Sequence, residues 1–143
     1  MLSKSERMQK SHSITMNQLM LKQGVLKRVR TIVESFRLFV RGNPEYNQEQ
    51  YREWYNSVAL GRINGAIRWV KTNTTSNTLK KKIYWNILLN VKGLLTKQLR
   101  DKYRYICIAD LMTIQLNNMV TGLEDAVSRH EKKWVDLKVM TSL

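Results

Sequence analysis

Residues 21–41, LKQGVLKRVRTIVESFRLFVR, decide the fold because their apolar and basic side chains follow a helical period on two different sides. The apolar residues recur at steps of three and four and line one side of a helix: Leu21, Val25, Val29, Ile32, Phe36 and Phe39. The other side carries basic residues at the same spacing, with Glu34 the single acid among them: Lys27, Arg30, Arg37 and Arg41. Such a helix packs its apolar side against protein and either presents its cations to an anion or uses them only to stay soluble.

The charge balance favours an anionic partner. The chain has 143 residues, with 25 Lys plus Arg against 11 Asp plus Glu and a formal net charge of +14. Its length and its 43% of hydrophobic residues suit one domain with a proper core. Residues 1–41 hold nine basic and two acidic residues, which is half of the net charge. A surface of this kind repels itself unless nucleic acid or an anionic membrane neutralises it, so the N-terminal third is the expected contact surface.

The remaining composition narrows the class of protein. A single cysteine, Cys107, precludes an internal disulfide, and its apolar neighbours favour a buried structural thiol. No run of 18 uncharged apolar residues predicts a membrane span, and residues 1–13 lack the apolar segment of a secretory signal. We therefore expect an intracellular or particle-borne protein.

The hydrophobic pattern predicts an all-α protein. A basic N-terminal helix, or a helix-turn-helix divided at Gly24, precedes an antiparallel helix bundle, with about four helices in all. Three regions follow: a flexible basic arm at residues 1–13, a basic amphipathic helical region at residues 14–41, and the bundle at residues 42–143.

Several residues mark the expected helix boundaries. Gly42 suits the end of the first helix, and Asn43 suits the cap of the second helix, which runs to about residue 71. Gly61 and Gly65, four residues apart, would let another backbone come close.

The polar segment at residues 72–78 predicts a loop, with Ser76 or Asn77 capping a third helix that reaches about residue 102. Residues 103–140 predict a final helix or helix pair, with a short strand at residues 105–109 as the alternative.

The sequence offers no sign of catalysis. His12, His130 and Cys107 lack the spacing of a metal site, and no phosphate-binding glycine loop or nucleophile motif is present. We expect no enzyme activity and no cofactor.

Cationic side chains are instead the candidate functional residues, because phosphate contacts bind nucleic acid without reading its sequence. The candidates are Lys4, Arg7, Lys10, Lys22, Lys27, Arg28, Arg30, Arg37, Arg41, Lys80, Lys81 and Lys82.

Residues 36–67, FRLFVRGNPEYNQEQYREWYNSVALGRINGAI, resemble the coat proteins of filamentous and rod-shaped archaeal viruses. The likeness lies in architecture and charge layout over most of the chain: a basic helix, a break at Gly42-Asn43-Pro44, and an aromatic-rich helix after it.

The resemblance implies a virion coat protein that wraps linear double-stranded DNA without sequence specificity, holds it in the A-form and polymerises into a helical nucleocapsid. It implies assembly in the host cytoplasm, as a homodimer or with a paralogous subunit, under a lipid envelope in the filamentous members. The DNA-wrapping positions would be Lys22, Lys27, Arg28, Arg30, Arg37 and Arg41, with Lys4, Arg7 and Lys10 as an arm. Lys80, Lys81 and Lys82 depart from an outward-facing bundle and would touch either DNA of a neighbouring turn or anionic lipid.

Two alternatives use the same residues differently. Residues 21–39 also fit an interfacial helix of a peripheral membrane module. An RNA-binding role would stack bases on tryptophans, although core-like spacing disfavours it: Trp54, Trp69, Trp85 and Trp134.

Overall fold

A computed structural model describes residues 3–73, 78–100 and 106–142, except for the side chains of residues 12, 14, 15, 78–81, 100, 106–110, 141 and 142. The elements are α1 (Lys4–Gly42), α2 (Gln48–Trp54), a π-helical turn (Tyr55–Ala59), α3 (Leu60–Asn73), α4 (Thr78–Arg100) and α5 (Ile106–Ser142). The π turn joins α2 and α3 without a break, so these ranges form four rods and contain no strand. The predicted all-α bundle of about four helices is confirmed.

Helix α1 is one continuous helix of 39 residues, about 58 Å long at 1.5 Å per residue. It begins at Ser3, whose Oγ accepts the Glu6 backbone N–H at 3.1 Å. Residues 4–13, which the sequence analysis treats as a flexible arm, are therefore its first turns. Gly24 does not divide α1, and the helix-turn-helix alternative is not the one that the structure adopts. Apolar residues packed on both sides of Gly24 offset its helix cost of about 1 kcal/mol.

The chain breaks after α1 where the sequence predicts it, but the capping differs. Gly42 stays helical, and Asn43 is the C-cap, with its Nδ2 donating to the Phe39 carbonyl at 3.1 Å. Asn43 does not cap α2. Asn47 does so, since its Oδ1 accepts the Gln50 N–H at 2.8 Å while Gln50 Oε1 accepts the Asn47 N–H at 3.0 Å. This reciprocal capping box satisfies two backbone N–H groups at the start of α2. Asn43, at the end of α1, has no matching partner with which to form such a pair.

The later boundaries agree in part with the sequence analysis. Helix α3 ends at Asn73 and α4 begins at Thr78. Residues 74–77, including the proposed caps Ser76 and Asn77, lie outside the described residues, as do residues 101–105. Residues 106–109 belong to α5, so the strand alternative is wrong there, and α5 is one helix rather than a pair. The apolar run continues the helical period of the residues after it, and no described strand is available to pair with it.

Helices α1 and α5 pack antiparallel along most of their lengths. Three polar contacts give the register: Gln23 Nε2 donates to Glu131 Oε1 at 3.0 Å, Arg30 pairs with Glu124 at 3.5 Å, and Arg37 donates to Asn117. Each step of seven residues along α1 is thus a step of seven backwards along α5. By this register residues 4–11 extend past Ser142, the last described residue of α5.

The core lies between all four rods. Fully buried side chains come from α1, from α2 with α3, from α4 and from α5. Each aliphatic or aromatic side chain buried in this way contributes about 1.5–3 kcal/mol. The largest are Phe36, Ile32, Val25 and Val29; Tyr51, Ile63 and Val70; Leu88, Val91 and Leu95; and Leu116.

The π turn corrects a phase change in the apolar pattern. Tyr51, Tyr55, Ala59 and Ile63 are all buried and follow three successive steps of four residues. In a regular α-helix each step of four overshoots one turn by about 40°, so three steps would turn the buried face by about 120°. The wider π turn takes up the extra residue, and α2 and α3 bury the same side of one rod.

Gly24 is the glycine at which two helices meet closely. A Cβ there would overlap Cη2 of Trp69, so the indole ring occupies the space of a side chain. At Gly61 and Gly65 an added Cβ would meet nothing within 4 Å, so within the subunit no backbone makes the close approach expected there.

Candidate nucleic-acid interface

The four cations that the helical period puts together on α1 lie along one exposed flank: Lys27, Arg30, Arg37 and Arg41. Two of them have partners in the subunit. Arg30 pairs with Glu124, while Arg37 contacts Glu34 at 3.4 Å and also donates to Asn117. These ion pairs are about half exposed, and exposed pairs contribute only about 0–1 kcal/mol. Arg30 and Arg37 therefore remain open to solvent, but their charge is partly compensated.

Arg28 leaves this flank and serves the packing of α1 on α3. Its guanidinium carbon lies 3.9 Å from the centroid of the Trp69 ring, and Nη1 donates to the Gly24 carbonyl at 3.1 Å. Desolvation by the surrounding protein lowers the pKa of Arg28. The structure thus places Arg28 in a cation–π contact rather than on the predicted cationic side.

Lys22 lies about 80° around α1 from Arg30 and is half-buried in a groove beside α4 and α5. Burial lowers the pKa of Lys22, and the charges of Arg129 and Lys133 lower it further. The three cations are therefore close enough to repel one another.

The outward side of α1 is not a continuous cationic ribbon. Met16, Met20 and Leu38 are 44%, 56% and 55% exposed there and alternate with charged residues such as Lys27 and Glu34. The two-sided pattern read from residues 21–41 is therefore correct for the buried side and too simple for the exposed one.

The first turns of α1 carry three exposed cations, Lys4, Arg7 and Lys10. By the α1–α5 register they lie beyond the described end of α5. The side chain of His12, between them and the bundle, is outside the described residues.

The lysine triplet at the start of α4 lies at the same end of the bundle as Lys22. Lys80 and Lys81 are in the first turn of α4, although their side chains are outside the described residues, and Lys82 is exposed. Ile83 and Tyr84, which follow directly, line a groove together with Lys22.

Cations that the sequence analysis did not single out join them at this end. Arg68 and Lys71 flank Trp69 on α3, which packs against α1, and Lys71 Nζ lies 4.6 Å from the centroid of the Trp85 ring on α4. Arg129, Lys132 and Lys133 are exposed on the last third of α5. We call the cations that share this end of the bundle the basic end: Lys22, Arg68, Lys71, Lys82, Arg129, Lys132 and Lys133.

The basic end arises from topology. In an antiparallel bundle the start of α1 and α4 and the finish of α3 and α5 share one end, and each of these segments is basic. The lysine triplet of α4 and the basic residues from Arg129 to Lys133 can be recognised in the sequence. Only the fold, however, brings these segments to the same end of the bundle. Three carboxylates belong to the other end, where Gln48 Nε2 donates to the Leu99 carbonyl at 2.9 Å: Glu45, ahead of α2, and Glu49 and Glu53, within it.

Within the described ranges no group of three His, Cys, Asp or Glu side chains could hold a metal ion. His130 is buried and lines the groove at the basic end, and the side chain of Cys107 lies outside the described residues. In the same ranges no helix is long and apolar enough to cross a bilayer.

Comparisons of the chain with models of protein families, with curated proteins and with solved structures give no match.

Proposed function

We propose that this chain is a structural coat subunit that binds linear double-stranded DNA without sequence specificity and polymerises on it into a helical nucleoprotein filament, the nucleocapsid of a virion. The observation that supports the proposal is the basic end, where cations from all four rods lie at the same end of the bundle, each of them exposed except the half-buried Lys22. The resemblance of residues 36–67 to coat proteins of filamentous and rod-shaped archaeal viruses is the reason for proposing a filament and a virion.

The charge layout suits a polyphosphate. Duplex DNA carries one negative charge per about 1.7 Å of axis, so a cluster of cations on one surface meets several phosphates at once. Helix α1 adds exposed cations at its first turns and along one flank: Lys4, Arg7, Lys10, Lys27, Arg30, Arg37 and Arg41. With about 58 Å of length, α1 has the reach to follow a stretch of bent or wrapped duplex.

Two features of the core favour duplex DNA over an anionic membrane or single-stranded RNA as the partner. The apolar face of residues 21–39 is buried in the bundle, so an interfacial membrane helix would first have to leave the core. Three tryptophans that could stack on unpaired bases each carry a cation of this chain over the ring: Trp69 under Arg28, Trp85 under Lys71 and Trp134 under Lys138.

Exposed apolar residues support contacts between copies of the chain. Met16, Met20 and Leu38 on α1, and Val135, Val139 and Met140 on α5, are each 44–56% exposed. Apolar surface of this kind beside cations is typical of a subunit that is completed by neighbours in an assembly.

Reconstitution tests the proposal. The protein mixed with linear double-stranded DNA at low salt should form filaments of constant diameter in electron micrographs, and circular dichroism should report A-form DNA in them. Two variants with the same charge change make the result specific. Arg68→Glu/Lys132→Glu at the basic end should abolish the filaments, whereas Arg52→Glu/Lys97→Glu away from it should not. Filaments that form equally well without nucleic acid, or only on single-stranded RNA, would contradict the proposal.

A further inference from the structure

A groove lies between the first half of α1, the start of α4 and residues 123–133 of α5, with a volume of about 590 Å³. This size is in the range of sites that hold small molecules. One wall is apolar and comes from two helices, with Ile83 and Ile87 on α4 and Leu123 and Ala126 on α5. We call it the Lys22 groove.

The mouth of the Lys22 groove is cationic. Lys22, Arg129 and Lys133 line it, and none of its described lining residues carries a carboxylate. Of the nearby acids on α5, Glu131 accepts a hydrogen bond from Gln23 at 3.0 Å and is not among the residues that line the groove. The charges of Arg129 and Lys133 and the burial of Lys22 together lower the pKa of Lys22. Among the described residues Lys22, Arg129 and Lys133 form no ion pair, so these charges have no carboxylate partner there.

A second groove provides an internal comparison. It also lies between α4 and α5, has a volume of about 610 Å³ and is lined by Leu89, Leu94 and Met119. Lys97 is the single charged side chain among its lining residues. The two grooves are alike in size and apolar wall, so a cluster of three cations is not a general consequence of how α4 and α5 pack.

We propose that the Lys22 groove binds a single-chain amphiphile with an anionic head, a phosphate monoester or a carboxylate. The head lies between Lys22, Arg129 and Lys133, and the alkyl chain lies along Ile83, Ile87, Leu123 and Ala126. Charge-assisted hydrogen bonds fix the head, and burial of the chain supplies the rest of the affinity. A DNA phosphate would use the same cations but has no alkyl chain for the apolar wall. The site therefore stands whether or not the chain packages DNA.

Titration calorimetry with three probes tests the chemistry. Octyl phosphate below its micelle concentration should bind with one site per chain. Inorganic phosphate, which lacks the chain, and octyl glucoside, which lacks the charge, should each bind at least about tenfold more weakly, because each loses one of the two contributions. Equal affinity for octyl phosphate and inorganic phosphate would overturn the amphiphile site, as would equal affinity for octyl phosphate and octyl glucoside.

Variants then locate the site. Lys22→Gln and Arg129→Gln should each weaken octyl phosphate binding by about tenfold. Ala126→Trp should abolish it by filling the groove while keeping every cation. The matched control Lys97→Gln, in the second groove, should leave it unchanged. Circular dichroism and thermal melting identify any variant that fails to fold, and Arg129→Gln, at an exposed position, keeps the test available if Ala126→Trp does not fold.

The DNA readout separates this proposal from the proposed function. Ala126→Trp should bind duplex DNA as the unchanged protein does, although it no longer binds octyl phosphate. Octyl phosphate binding that survives Ala126→Trp and Arg129→Gln places the amphiphile elsewhere and overturns the Lys22 groove as its site.

Discussion

At the residue scale, Gly24 and Trp69 show how one position joins two helices. The indole of Trp69 fills the space that a Cβ on residue 24 would need, and Arg28 covers the ring from the next turn of α1. Gly24 therefore contributes to stability through the absence of a side chain, even though glycine is the poorest helix former after proline.

We expect Gly24→Ala to destabilise the protein by about 1–3 kcal/mol, the usual cost of forcing extra atoms into a packed contact. The contact falls on ring carbons of Trp69 rather than on a flexible chain end, so the helix must move. Chemical denaturation measures the change in the free energy of unfolding.

Gly93→Ala is the matched control, because an added Cβ there meets nothing within 4 Å. It should stabilise the protein by about 0.5–1 kcal/mol through helix propensity alone. If Gly24→Ala stabilises the protein as Gly93→Ala does, the close contact with Trp69 is not present in solution.

Tyr84 gives a prediction about pH. Burial raises the pKa of Tyr84 from 10.0 to about 12. The folded protein thus holds the phenol proton more tightly than the unfolded chain does. The stability that this proton contributes is complete below pH 10 and is lost as the pH rises through about 12.

Ultraviolet absorbance should show this ionisation directly. The difference between the titration curves of the unchanged protein and Tyr84→Phe should have its midpoint near pH 12. A midpoint near the ordinary value of 10.0 would mean that Tyr84 is open to solvent.

The sequence predicts the buried side of α1 residue by residue because core packing follows the helical period. It does not predict the role of Gly24, for which the sequence offers only a division of the helix. A glycine inside a helix has the same sequence signature whether it bends the chain or admits a ring from a helix distant in sequence.

At the scale of elements, the π turn is explained by the spacing of the buried residues in α2 and α3. The buried residues of α2 and α3 are out of phase by one residue, and Tyr55–Ala59 absorbs the difference. Removing one residue from the π turn should therefore leave a plain α-helix whose two halves keep their buried faces.

Deletion of Asn56, which is exposed in the π turn, should be tolerated with a small change in melting temperature. Deletion of the exposed Asn64 in α3 is the control: it turns one part of the helix by about 100° relative to the other and should prevent stable folding. Thermal melting followed by circular dichroism distinguishes the two. Equal damage from both deletions would mean that the π turn does not absorb the phase change.

Helix boundaries follow the sequence less closely than helix faces do. The break after Gly42 is predicted, yet Asn43 and Asn47 are both plausible caps, and only the reciprocal pair with Gln50 decides for Asn47. The length of α1 was underestimated because residues 4–13 have few apolar residues to display a period. A capping serine at their start and continuity with a long packed helix are sufficient for them to be helical.

At the scale of the whole molecule, charge is distributed by topology. The sequence assigns half of the positive charge to the N-terminal third, and the order of the helices brings further cations together at the basic end from segments distant in sequence. Lys80, Lys81 and Lys82 depart from the outward-facing bundle that the resemblance implies. They belong to the basic end because α4 begins there. Arg68, Arg129 and Lys132 could not be assigned from sequence alone, because their neighbours depend on the antiparallel order of the helices.

The central claim is that the basic end contacts the phosphates of double-stranded DNA, and the dependence of duplex affinity on salt tests it most directly. The logarithm of the binding constant should fall linearly with the logarithm of salt concentration. Arg68→Gln/Lys132→Gln should make that slope shallower by about 1.8, since each lost phosphate contact removes about 0.9. Arg52→Gln/Lys97→Gln, with the same loss of charge elsewhere, should leave the slope unchanged. A flat plot for the unchanged protein, or equal slopes for the two variants, would contradict the account.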